Sequence, residues 1–279
     1  MNDPVRTILV SSHPDDVALS IGGSILAGFF QRPLLLVTAF SYGGWAPYFP
    51  GKHEVGIISQ QRTNEDETFA RAIGAPLVQL GLRDAALECM FRRGFNLQRW
   101  FASIAHGGVI RGEEETTWLE DGLGRFAHYK VPRRLRWSLM EKMGKLDPVH
   151  GNLTDILTQI ASKLPGATLA CPLGLGLHPD HVLVTTACKS LAKFMPVCYY
   201  EDLPYAWDYP LASIQRHAIR LDPDLRPVRV DVERLLAIKL DNLHLYSSQL
   251  GPNDFDKVIT HAKRLAINGR ACERIWRRN

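Results

Sequence analysis

The stretch Arg6-Thr7-Ile8-Leu9-Val10-Ser11-Ser12-His13-Pro14-Asp15-Asp16 decides the fold. Its apolar run reads as a short strand, Arg6 to Ser11, of the kind buried on both faces of a parallel sheet. Pro14 and the two carboxylates then turn the chain into a helix, Asp16 to Phe30. Open α/β sheets place their ligand sites at such strand C-termini. Here that turn carries an imidazole and two carboxylates.

A second cluster, His178-Pro179-Asp180-His181, follows the apolar run Thr168-Leu169-Ala170-Cys171-Pro172. Two clusters at two strand ends can converge on one divalent ion. Imidazole and carboxylate donors suit zinc better than calcium or magnesium, which prefer all-oxygen shells. Hydrolytic zinc sites keep three protein ligands and leave a fourth position for water. His13, Asp16 and His181 are the expected ligands. Asp15 is placed to take a proton from zinc-activated water, and His178 to steady an oxyanion or protonate a leaving amine. Asp180 is expected to orient a histidine from behind. The competing reading makes each acidic turn a helix N-cap and the protein a non-catalytic binding module.

Outward from these motifs the chain alternates strand and helix. Strands are expected at Leu34 to Phe40, Leu77 to Leu80, Ala167 to Pro172 and Val197 to Tyr200. Helices are expected at Ser59 to Ile73, Leu153 to Leu164, Val182 to Phe194 and Val232 to Ser248. Gly22, Gly23 and Ser24 would let the first helix lie close to the sheet. This rhythm implies an α/β, Rossmann-like, mostly parallel sheet with helices on both faces. Ser41 to Gly56, rich in Gly, Pro and aromatics, reads as a long functional loop. Gly- and Arg-rich sequence with Trp100, Trp118 and Trp137 breaks the alternation. We read 1–279 as a single domain with an insertion or cap at 88–150, which covers the pocket or mediates homo-oligomerisation.

The chain has 279 residues and a formal charge of only +4, so charge alone does not make it a nucleic-acid binder. Arg270, Arg274, Arg277 and Arg278 read as a solvated helix end. Five widely spaced cysteines without a C-x-x-C pair argue against a thiolate zinc site or a disulfide framework. No basic n-region followed by a long apolar stretch opens the sequence, so a signal peptide is not expected, and Gln31-Arg32-Pro33 interrupts its most apolar stretch, which excludes a membrane span there. A cytoplasmic location is expected.

The paired motifs His13-Pro14-Asp15-Asp16 and His178-Pro179-Asp180-His181 resemble those of the PIG-L/LmbE family of zinc-dependent N-deacetylases, over roughly residues 5 to 205. The resemblance implies a Rossmann-like fold and removal of an acetyl group from an N-acetyl amino sugar or its glycoconjugate. It implies the same ligands, His13, Asp16 and His181, with Asp15 as general base and His178 as its catalytic partner; iron is the alternative metal. Two positions depart from the pattern. Val17 stands where many members have glutamate, and Gly176 stands where some have tyrosine. The substrate is expected to be a small N-acylated sugar. The alternative is a larger N-acyl or thiol-sugar amide cut at the same centre.

Arg62 resembles a family arginine that contacts a sugar hydroxyl or phosphate; the bland alternative is a surface ion pair with Glu65. Trp45, Tyr48 and Phe49 are placed to stack on a sugar face or an acyl chain. Arg83-Asp84 is expected at the pocket rim. Glu201-Asp202 is a candidate for substrate hydroxyl contacts, or a capped turn before Pro204.

Overall fold

The computed structural model describes residues 4–51, 53–84 and 148–278. Five parallel strands follow from the apolar runs: β1 (Thr7–Ser11), β2 (Leu34–Thr38), β3 (Leu77–Gln79), β4 (Thr168–Pro172) and β5 (Val197–Tyr200). β1 and β2 are buried along their whole length, as strands covered on both faces must be. The register pairs Leu9 with Leu36 on one side and with Ala170 on the other. Side chains such as Ile8, Leu9, Val10, Val37 and Leu169 form the core. Each contributes about 1.5–3 kcal/mol on full burial.

The helices between them are α1 (Asp16–Leu26), α2 (Val55–Ala72), α3 (Pro148–Ser162) and α4 (Pro179–Leu191). The strand order is β3-β2-β1-β4-β5-β7-β6, where β6 (Arg226–Asp231) and β7 (Cys272–Arg277) are antiparallel additions. From β1 the chain moves outward through α1 to β2; from β4 it moves the opposite way through α4 to β5. Right-handed crossovers therefore put α1 and α4 on opposite faces. The direction of winding reverses between β1 and β4, and both histidine motifs leave the sheet at that point.

α5 (Leu211–Leu221), α6 (Leu236–Leu243) and α7 (Pro252–Arg264) complete the described chain. α2 begins at Val55 rather than Ser59, so the preceding loop is shorter than expected. α4 begins at Pro179 rather than Val182, with Pro179 in its first turn and His178 as its cap. That start places Asp180 and His181 in the first helical turn. The single helix expected from Val232 to Ser248 is instead α6 flanked by short 3₁₀ turns.

The C-terminal arginines are not a helix end. Arg274 and Arg277 lie in β7. Arg274 is buried against Glu201 and over the Trp276 ring, while Arg278 pairs with Asp222 at 2.7 Å. Close packing of α1 is confirmed at Gly23, where a Cβ would lie 2.8 Å from both Glu273 Oε1 and Val232 Cγ1. Glu273 accepts from the Gly23 and Ser24 amides and from the buried Lys239, whose ammonium also donates to the Leu19 carbonyl. This network ties α1 to β7 and α6. Most of the stretch read as an insertion lies outside the described residues. Among the described residues, no helix is long and apolar enough to cross a membrane.

Candidate metal centre

Ser11 shapes the first turn. Its hydroxyl donates to the His13 carbonyl at 2.6 Å and accepts from the Val17 amide at 3.3 Å. Asp16 accepts the His13 amide at 2.7 Å, whereas the Asp15 side chain makes no capping bond. Asp15 therefore does not serve as the N-cap acceptor. In the second turn, His178 Nδ1 accepts the Asp180 amide at 3.3 Å, which leaves Nε2 to carry a proton.

The two turns meet. His13 Nδ1 lies 3.5 Å, and His181 Nε2 3.3 Å, from Asp16 Oδ2. One ligand atom from each of His13, Asp16 and His181 lies within 4.8 Å of the others. A tetrahedral zinc with bonds of about 2.0–2.1 Å sets its donors about 3.4 Å apart. His181 Nε2 is buried and makes no hydrogen bond. Its other nitrogen is held by Asp202 at 2.7 Å, and His13 Nε2 is held by Asp180 at 2.9 Å. Carboxylates that fix the far nitrogen are the usual support of metal-ligating histidines. The donor set and its orphaned nitrogen fit a divalent metal.

The electrostatics point the same way. Burial opposes a charged His13, yet the hydrogen bonds and charges of Asp16 and Asp180 outweigh it and raise its pKa to about 10. Burial likewise opposes charge on His181, and Asp16 and Asp202 raise it. Asp16 is held below its ordinary value because the His181 and His13 charges overcome burial. Asp15 is pushed up to about 8 by burial and by the Asp16 charge, against the pull of Arg62. The cluster favours positive charge, which a divalent ion supplies in place of protons.

A pocket of about 470 Å³ opens over the cluster and is lined by His13, Asp15, Asp16 and His178. Arg62, Asp84, Gln249, Trp45, Tyr48 and Tyr205 also line it. Arg62 is buried and donates to Gln249 Oε1 at 2.7 Å and to Asp84 Oδ2 at 3.4 Å. It makes no ion pair with Glu65, which instead accepts from the Ser248 amide and hydroxyl and from Gln249. Trp45 and Tyr48 keep 48% and 49% of their surface exposed, while Phe49 stacks on His53.

Two expected contacts lie elsewhere. Arg83 is exposed and does not line the pocket; its neighbour Asp84 does. Glu201 points into the protein, where His261, Arg274 and Trp276 occupy its carboxylate. That buried ion group is structural. Asp202, beside it, is the residue that reaches the histidine cluster, through His181. It accepts from the Gly174 and Leu175 amides as well as from His181, so one carboxylate holds both the loop and the ligand. Its visible signal was an acid at the C-terminal end of the strand next to β4. Gln249 and Tyr205 had no such signal.

The sheet's reversal point thus places two histidines and an aspartate that could hold a divalent ion beside a carboxylate with no hydrogen bond among the described residues, and ligand sites of doubly wound sheets lie at such points. No family model matches the chain. It is 28% identical over 271 residues to 2'-N-acetylparomamine deacetylase of Streptomyces fradiae, covering 93% of this chain and 78% of that protein. Its fold is similar to that of teicoplanin deacetylase, solved in a zinc-inhibited form, with a TM-score of 0.63 at 20% identity over 98% and 97% of the two chains. It is also similar to N,N'-diacetylchitobiose deacetylase from Pyrococcus horikoshii, with a TM-score of 0.51 at 14% identity over 98% and 83%. The chain is a homologue of N-deacetylases, in agreement with the PIG-L/LmbE resemblance of its two motifs.

Proposed function

We propose that this protein is an N-deacetylase that hydrolyses the acetamide of an N-acetylated amino sugar, free or within a glycoconjugate. The metal is zinc, with iron as the alternative, held by His13, Asp16 and His181. One observation carries the reading. Two turns far apart in sequence bring these ligands together with Asp15 beside them in one pocket. The Streptomyces fradiae relative, named for an N-acetylated substrate, supports it.

A metal bound there polarises the scissile carbonyl and acidifies water. Asp15 makes no side-chain hydrogen bond among the described residues, and its carboxyl is pushed up to about 8 by burial and the Asp16 charge. Beside a bound divalent ion this carboxyl would stay ionised, so it can take a proton from the attacking water. The water oxygen bonds to the carbonyl carbon as the C=O electron pair moves onto oxygen. When that pair returns, the C–N bond breaks and its electrons leave with nitrogen. Asp15 passes the proton it took from water to the nitrogen, giving the free amine and acetate, while the His178 Nε2–H donates a hydrogen bond to the developing oxyanion. Asp202 and Asp180 hold the imidazoles still throughout. Arg62 and Trp45 contact the sugar. The reaction takes place in the cytoplasm, a location supported by the four described cysteines, all free and buried.

The test is acetate release across N-acetyl sugars, nucleotide sugars, and aminoglycoside and glycopeptide intermediates. Asp15→Asn is expected to retain metal and lose about 10²–10⁴-fold in kcat. His13→Ala is expected to lose both metal and turnover. Full activity in Asp15→Asn would contradict the assigned base.

A further inference from the structure

Gly176 is the departure from the family pattern that the structure explains. Its backbone sits at φ 82° and ψ −17°, a region that side chains disfavour. A Cβ there would lie 2.5 Å from Cγ of Tyr205. The space beside the second motif is taken by a ring that arrives from a different segment, the turn after β5. That ring stands edge-on to His181, with centroids 5.3 Å apart at 87°, and 6.2 Å from His178. It lines the pocket together with Asp15 and Asp16.

The placement is rigid. Asp202, which holds His181, also accepts the Ala206 amide through its carbonyl at 2.7 Å, and the Leu203 amide donates to Ser20 in α1 at 3.0 Å. The Tyr205 hydroxyl is different. It makes no hydrogen bond among the described residues, and it is not one of the polar atoms sealed in the interior without a partner. Tyr205 is half-buried, and a half-buried phenol normally finds a hydrogen-bond partner. Tyr205 is among the residues lining the pocket, with His13, Asp15 and His178.

We propose that Tyr205, which fills the space over Gly176, donates a hydrogen bond from its hydroxyl to the oxyanion formed on the acetamide oxygen. The proposal rests on the deacetylase reading. Donors aimed at an oxyanion typically contribute about 10²–10³-fold to kcat.

Tyr205→Phe keeps the ring that fills the space over Gly176 and removes only the hydroxyl. Measured on the best substrate of the acetate-release screen, it should lower kcat by about 10²–10³-fold, with KM within about twofold and metal content unchanged. Binding of a phosphonamidate mimic of the tetrahedral species, followed by calorimetry, should weaken about tenfold or more, while binding of the free amine product stays the same. A variant with wild-type kcat, or one that loses affinity equally for product and mimic, would overturn the role. Wild-type protein inert across the screen would instead defeat the deacetylase reading itself, and this shows before any variant is compared.

Discussion

Asp15 and Asp16 are chemically identical neighbours, and the groups around them set their different behaviour. Asp16 faces two imidazoles that hold it ionised, whereas burial and the Asp16 charge raise the proton affinity of Asp15. The motif residues were legible because a turn projects its own side chains locally: His13, Asp16 and His181 meet, and Asp180 holds His13. The groups that arrive from other segments were not legible, because nothing local marks which of Glu201 and Asp202 turns inward to Arg274 and which turns to His181. Asp202→Asn replaces an acceptor with an amide at His181 Nδ1 and at two loop amides. Its metal affinity is expected to fall about 10–100-fold, by competitive chelator titration, with an intact fold by circular dichroism. Unchanged affinity would remove Asp202 from the account.

At the scale of elements, apolar runs marked β1 to β5, buried in all but the edge strand β3. β7 escaped that criterion because its polar residues are buried in pairs, Glu273 with Lys239 and Arg274 with Glu201. β6 escaped it because it is a largely exposed edge strand carrying Pro227 and arginines. Lys239→Met leaves Glu273 buried without its cation. It should cost about 3–5 kcal/mol in urea unfolding, and pairing it with Glu273→Leu should restore much of that loss. Asp66 links α2 to β2 and to the segment before α7 through Thr38 and Tyr246. Burial pushes its carboxyl up to about 6, against these hydrogen bonds and Arg62. Its unfolded value is near 3.9, so the native state binds the proton more tightly between these values and stability falls as pH rises through them. Relative to Asp66→Asn, which does not titrate, the wild type should lose about 2–3 kcal/mol between pH 4 and 7 in denaturant titrations at each pH. A constant difference would show that Asp66 keeps its ordinary pKa in the fold.

For the molecule as a whole, function follows from topology. Only the reversal of winding between β1 and β4 brings residue 13 beside residue 181; the alternation of apolar runs with helices predicts a parallel sheet covered on both faces but not this strand order. The C-terminal third was harder to read. Its strands and helices complete the sheet edge and wall the pocket through long-range polar contacts that carry no periodic signal. The most direct measurement is metal content and acetate release on one sample, before chelation, after chelation and after metal is restored. One divalent ion per chain is expected, with turnover lost with the ion and regained with it. Undiminished acetate release from metal-free protein would contradict it.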